Sequence, residues 1–392
     1  MSCKEISLYI HIPFCVSKCD YCDFFSIPVG SKNNAVSLDY IDSLCNEIKS
    51  RLKQYENCLL KTVYIGGGTP SLLSAAELNK ITDVLKEYGF TSDYEFTFEV
   101  NPDDVSKELL LALEAAGVNR ISCGIQSFSE DVLKSVHRRS NSSQNYECFK
   151  LFDHFWHKKL SVDLICGLPG ETEESLIHGL NFLTEQKIPH ISFYSLCVEE
   201  ETPLGKAIIT DSESYDYDFS DELWLKGRDF LISKGYEQYE VSNFCLKGYE
   251  CLHNMTYWTH KDYIGCGSGA AGTLYRQPLE NDFRYTNTKN IKEYIDFWHD
   301  GLKTIENAPQ NVEKITLKDS EFEYFMMGLR TVRGVSCKEF EAIFNKKMPE
   351  KILNKLKTEC TESIDGFYYL DSKKLLFLNK FLEEIYEIIN TE

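Results

Sequence analysis

Three cysteines sit in the run His11-Ile12-Pro13-Phe14-Cys15-Val16-Ser17-Lys18-Cys19-Asp20-Tyr21-Cys22-Asp23-Phe24, with C-x3-C-x2-C spacing and no fourth cysteine following. Three thiolates on one short loop can hold three irons of a [4Fe–4S] cluster. Such a cluster normally takes four cysteine ligands, so a three-cysteine loop leaves one iron open to an exchangeable ligand. Open and closed zinc sites differ by the same logic. Two other readings compete: a three-cysteine zinc site, and chance clustering among 15 cysteines. Zinc sites usually pair two C-x2-C knuckles, and no second knuckle exists here.

A second motif, Gly66-Gly67-Gly68-Thr69-Pro70, follows the β-rich run Thr62-Val63-Tyr64-Ile65. Glycine lets the backbone approach a ligand closely, and bare N–H groups there receive a carboxylate. Alone it is equally a tight turn. Polar residues recur at later apolar runs: Glu99, Gln126, Arg138 and Asp163. Singly, each reads as a structural hydrogen-bonder. Together they suit a ligand with hydroxyls and a carboxylate, because carboxylates take hydroxyls and arginine takes a carboxylate.

The elements that must position these groups alternate. Strand-like runs fall at residues 8–12, 62–65, 95–100, 120–125, 161–165 and 190–196, and helical stretches at 38–55, 75–88, 107–115 and 175–186 lie between them. Six β/α units predict a parallel sheet with helices outside and right-handed crossovers. Six are too few to close an eight-stranded barrel. The expected fold class is therefore α/β, an open (β/α)6 partial TIM barrel with its chemistry at the strand C-termini. An acidic loop is expected at 210–221 and a helix at 222–234. From about residue 311 the pattern changes: helices at 319–330, 336–344, 350–359 and 381–390, and a hairpin of 364–370 with 374–378. This predicts a mostly helical, winged-helix-like C-terminal domain. The expected division is 1–235 for the core, 236–310 for a connecting region and 311–392 for the last domain.

The formal net charge is −19, from 42 basic and 61 acidic residues. That opposes a general nucleic-acid or anionic-membrane binder, since both need positive charge. No signal peptide opens the sequence and no run of 18 apolar residues exists, so no transmembrane segment is expected. Many unpatterned cysteines fit a reducing cytoplasm.

The stretches 9–24, 64–71, 99–102, 117–128, 163–170 and 235–244 together resemble the coproporphyrinogen dehydrogenase-like family of radical SAM proteins. The resemblance spans nearly the whole chain. It implies that Cys15, Cys19 and Cys22 hold a [4Fe–4S] cluster whose open iron binds S-adenosylmethionine (SAM). It places Tyr9 beside that SAM, and Gly67, Gly68, Thr69, Glu99, Gln126, Arg138 and Asp163 around it. Arg139 adjoins Arg138 and competes for its role. The oxidase branch of the family carries a further cysteine two residues after the third ligand and a long N-terminal segment. Here Phe24 stands at that position and few residues precede the first strand. Both features resemble the heme chaperone branch instead. That branch has an H-N-x-x-Y-W motif, which His253-Asn254-Met255-Thr256-Tyr257-Trp258 matches.

A neutral imidazole is a common axial ligand of heme iron, so His253 is the expected heme contact. The other readings are a structural histidine among aromatics, and Cys251 as a thiolate ligand. The function expected is a heme chaperone that passes heme to acceptor hemoproteins such as membrane cytochromes. The alternatives are a radical SAM decarboxylation of coproporphyrinogen III, and another radical SAM reaction on a tetrapyrrole.

Overall fold

The computed structural model describes residues 4–32, 36–55, 57–211, 215–275 and 282–391. Strands β1 (Lys4–Ile12), β2 (Phe14–Cys15) and β3 (Ile27–Pro28) open the chain, and β2 pairs with β3 in a small ribbon. Then β4 (Cys58–Gly67), β5 (Phe90–Val100), β6 (Arg120–Gln126), β7 (Lys159–Cys166) and β8 (His190–Ser195) follow β1 side by side, all parallel. Helices α1 (Leu38–Leu52), α2 (Ala75–Tyr88), α3 (Lys107–Ala115), α4 (Glu130–Ser135), α5 (Ser142–Phe155) and α6 (Glu173–Glu185) connect them. Side-chain oxygens start most of these helices. Ser37, Ser74, Ser106, Asn141 and Thr172 each accept from a backbone N–H in the first turn, which satisfies donors the helix leaves unpaired.

The six parallel strands form the open (β/α)6 partial barrel expected from the sequence. Further strands extend both edges. Beyond β8 come the antiparallel β10 (Asn243–Cys245) and then β9 (Glu237–Gln238); beyond β1 comes the parallel β11 (Ile264–Cys266). The nine strands run β11-β1-β4-β5-β6-β7-β8-β10-β9, with no bond joining the two ends. Helices α7 (Pro203–Thr210) and α8 (Tyr217–Ser233) lie before β9. Residues 212–214 of the expected acidic loop lie outside the described residues.

Strand alternation separates two sets of side chains. Leu8, Ile10, Val63, Ile65, Phe96, Phe98, Ile121, Val162 and Phe193 are buried in the apolar core with the helices. The alternate positions are polar: Ser7, Tyr9 and His11 on β1, Thr62 on β4, Glu95, Thr97 and Glu99 on β5, Arg120 and Ser122 on β6, Ser161 and Asp163 on β7, His190 and Ser192 on β8. A closed barrel of this kind fills its interior with branched apolar layers. This one has a hydrogen-bonded polar interior, braced by α9 (Leu252–Trp258). The first core draws on residues from Ile6 to Trp298, so the segment after residue 235 packs continuously with the barrel.

A three-stranded sheet of β12 (Ala271–Leu274), β13 (Phe283–Asn287) and β14 (Gln310–Lys314) follows, with α10 (Ile291–Trp298) inserted. A second core runs from Tyr324 to Ile389. It is built from α11 (Leu317–Leu329), α12 (Cys337–Phe344), α13 (Glu350–Glu359) and α14 (Leu378–Thr391) around β15 (Val335–Ser336), β16 (Thr361–Glu362) and β17 (Phe367–Tyr369). The hairpin expected from 364–370 and 374–378 is corrected. β17 pairs with β16 and β15, while Lys374–Phe377 is a 3-10 turn. Asp371 Oδ1 accepts from the amides of Lys373 and Lys374, both at 3.0 Å, which nucleates a helical turn where the apolar run suggested a strand.

Candidate active site

The three cysteines, the glycine turn and the polar strand ends face one cavity of about 480 Å³. Cys15, Cys19 and Cys22 line it, as do Gly67, Gly68, Thr69, Glu99, Gln126, Arg138 and Asp163. The structure thus brings together every expected site residue except Tyr9 and His253.

The cysteine loop is held from several sides. Ile27 N donates to Pro13 O and Val29 N to Cys15 O, which anchors the loop's base. Asp20 N donates to Val136 O after α4, and Leu204 N in α7 donates to Asp20 O. Cys15 and Cys19 are buried and Cys22 is half-buried. Burial pushes the Cys22 thiol up, against the opposing effect of the Phe24 backbone and the Lys18 charge. Among the described residues, no three His, Cys, Asp or Glu side chains converge closely enough to ligate one metal ion. A cluster asks for a different arrangement, with one thiolate on each of three irons.

The glycine turn is a close-packed cradle. A Cβ on Gly68 would lie 2.6 Å from Phe14 O, and one on Gly67 would lie 2.5 Å from the His11 ring. Gly67 also has φ +119°, a conformation other residues rarely adopt. Glu99 spans the turn: its Oε1 accepts from Tyr64 Oη at 2.7 Å and its Oε2 from Gly67 N at 3.0 Å. Burial raises Glu99 to about 7; the bond from Tyr64 opposes this and the nearby Asp163 adds to it. Asp163 is likewise raised by burial, and accepts from Ser122 Oγ at 2.9 Å.

Gln126 closes β6 with φ +66°, where the register shifts against β7. Strain of this kind clusters at binding sites. Arg138 donates to Asn101 Oδ1 at 2.8 Å, to Gly124 O at 2.5 Å and to Cys19 Sγ at 3.6 Å, while its buried Nε has no partner. Arg139 also borders the cavity, but its charge is committed to Asp103 and Asp104. Tyr9 does not line the cavity. Its hydroxyl bonds His11 Nδ1 at 2.8 Å, and its ring lies 6.2 Å from that of Tyr64, which does line it.

His253 does not line this cavity. It is 1 % exposed, and both ring nitrogens are taken: Nδ1 bonds Thr62 Oγ1 at 2.8 Å and Nε2 bonds Tyr257 Oη at 2.7 Å. Burial, with the Arg120 charge, lowers it to about 3, so it is neutral. In this geometry neither nitrogen is free for iron; the ring braces α9 against β4. Cys251 is also buried, with its Sγ 3.4 Å from Glu95 Oε1, and burial raises its thiol to about 12. Arg120 and Cys197 are among the cavity residues that were not anticipated. The alternation Arg120, Ser122, Gly124 along β6 would have revealed the first. Cys197 lies in a loop and carries no periodic signal.

The radical SAM superfamily profile matches residues 9–183. The heme chaperone HemW of Escherichia coli K12 is 32% identical to this chain, over 96% of the chain and 97% of the relative. The chain belongs to the HemW family. The HemW of Lactococcus lactis is 36% identical over 87% of the chain and 86% of its own length. The E. coli coproporphyrinogen III oxidase HemN, a radical SAM enzyme, matches in structure with TM-score 0.80 and 21% identity, covering 97% of this chain and 90% of that one. HemN shares the fold of this HemW-family chain. No helix among the described residues is long and apolar enough to cross a membrane.

Proposed function

We propose that this protein is a heme chaperone whose Cys15, Cys19 and Cys22 hold a [4Fe–4S] cluster and whose cavity binds SAM. The observation that carries the reading is the meeting of the cysteine loop and the glycine cradle at one cavity, in a chain that aligns with HemW proteins along nearly its whole length. When bound, the cluster supplies an open iron site and one-electron chemistry. The residues around it fit SAM. Gly67, Gly68 and Thr69 offer a backbone that the ligand can approach closely. The unpartnered Arg138 Nε offers a donor for a carboxylate. Glu99 and Asp163 offer acceptors for ribose hydroxyls, and Tyr9 supports the wall through Tyr64. Heme is the cargo, handed in the cytoplasm to acceptor hemoproteins, membrane cytochromes among them. His253 is left out of the iron's coordination in this reading, because its nitrogens are already bonded.

The test is anaerobic reconstitution followed by two parallel assays. The expected result is a Soret band on adding heme, transfer of that heme to an acceptor, and no consumption of coproporphyrinogen III. Conversion of coproporphyrinogen III to protoporphyrinogen IX with consumption of SAM would replace the chaperone reading with the oxidase.

A further inference from the structure

The residues of α9 divide between three cavities. Met255 and Thr256 line a separate one of about 870 Å³, and Tyr257 and Trp258 line a third. Asn254 is the residue of α9 that borders the cavity of the cysteine loop, together with Glu99, Asp163 and Ser192. It is half-buried, and among the described residues its carboxamide makes no hydrogen bond. The polar side chains around it differ. Tyr64 Oη donates to Glu99, Ser122 Oγ donates to Asp163, and His253 is bonded to Thr62 and Tyr257. The His253 bonds hold α9 against β4 and so fix the residue that follows.

The surroundings of Asn254 say which part of a ligand it serves. The His253 ring lies 5.2 Å from the Tyr64 ring, and Tyr64 holds Glu99. The residue after His253 therefore stands with the carboxylates that suit a ribose. An ionised carboxylate accepts and does not donate, whereas a sugar hydroxyl does both. A hydroxyl that gives its proton to Glu99 or Asp163 keeps its lone pairs, and a group left unmet in a closed site is costly. Tyr64 and Ser122 have already spent their hydroxyl protons on the same carboxylates. The Asn254 amide carries two N–H donors with no partner in the protein.

We propose that Asn254 is a further SAM-binding residue, donating from Nδ2 to a ribose hydroxyl whose proton goes to Glu99 or Asp163. This rests on the SAM reading above and adds the donor that the two carboxylates lack. It gives the adjacent His253 and Asn254 separate tasks: the imidazole braces the helix and the carboxamide meets the ligand. A hydroxyl held between a carboxylate and an amide is recognised in both of its roles, so a ligand without it loses both contacts.

The experiment titrates the reduced, cluster-loaded protein with SAM, 2′-deoxy-SAM and 3′-deoxy-SAM. The half-saturating concentration is read from the electron paramagnetic resonance spectrum. Wild type is expected to bind SAM roughly tenfold more tightly than one of the two analogues, the range of one or two hydrogen bonds. Asn254→Ala should weaken SAM about tenfold and shrink the preference over that analogue, since two changes that remove one contact are not additive. Asn254→Asp keeps the shape and replaces the donor with an acceptor, so it should weaken SAM at least as much. Iron content should stay at about four per chain in both variants, which separates a lost contact from a lost fold. SAM bound by Asn254→Asp as tightly as by wild type overturns the assignment, and so does full additivity with both analogues. Equal binding of SAM and both analogues by wild type overturns it too, and that comparison holds even where a variant fails to fold. A wild-type spectrum unchanged at saturating SAM overturns the SAM reading itself, a result distinct from binding without discrimination.

Discussion

At His253 two elements distant in the chain meet, since its ring on α9 bonds Thr62 of β4 and Tyr257 of α9 and lies 5.2 Å from the Tyr64 ring of β4. Its removal leaves two buried hydroxyls without partners and a void. His253→Ala is therefore expected to lower stability by about 3–5 kcal/mol, measured by urea unfolding. In the fraction that remains folded, the Soret maximum of bound heme should stay where wild type has it. A shifted maximum with unchanged stability would restore His253 as an iron ligand. Glu99 makes a different prediction. Its folded value of about 7 lies above the ordinary 4.5. Between those values the folded state holds more protons than the unfolded state, so this group's contribution to stability falls as pH rises through that window and is constant above it. Glu99→Gln removes the slope. On cluster-free protein, the stability of Glu99→Gln relative to wild type should rise between pH 5.5 and pH 7.5.

At the scale of elements, the site is a junction between the β2 ribbon and the end of β4. Gly68 N donates to Ile12 O at 2.8 Å, and a Cβ on Gly68 would press on the Phe14 backbone, one residue from Cys15. Backbone cannot yield as a flexible side chain does. Gly68→Ala is expected to abolish the change that SAM causes in the electron paramagnetic resonance spectrum of the reduced cluster. Replacing Cys15, Cys19 or Cys22 with alanine should remove the iron, whereas Cys45→Ala, outside the cavity, should keep about four irons per chain. A brown, iron-loaded Cys19→Ala protein would show that the ligands lie elsewhere.

Over the whole molecule, Arg330 is one of the arginines that join the C-terminal unit to the rest of the chain, with Arg284 on Glu323 and Arg228 on Ser372 O. Arg330 follows α11 and donates to Glu240 Oε2 from two nitrogens, at 3.0 and 2.9 Å. Its guanidinium also lies 4.2 Å from the centre of the Trp258 ring on α9. The Glu240 side chain is 1 % exposed and takes further bonds from Ser242 N and Asn243 Nδ2. Arg330→Ala strips a buried carboxylate of its counter-charge, at a cost of about 3 kcal/mol. Urea unfolding should show this loss, and adding Glu240→Gln should recover part of it, because the buried group is then neutral. Full additivity of the two changes would show that the pair does not couple the cores.

The local regularities of the sequence determined the architecture. A repeat of strand and helix sets six parallel strands, since each run is long enough for its periodicity to register. C-x3-C-x2-C and the triple glycine declare their chemistry because ligand spacing along one loop is covalent, and they meet at one mouth because parallel β/α units put their strand ends on the same side. Tertiary packing decided what spacing cannot express. Whether His253 is free depends on Thr62, 191 residues away, and the surroundings of Arg120 combine Tyr64 of β4 and Glu95 of β5 with Tyr239 and Cys251 from beyond the barrel strands. β11 is three residues long and pairs with β1 across the whole barrel sequence, too short to carry a period of its own. Hydrogen bonds and charges are settled between distant segments, and only the folded chain brings those segments within reach.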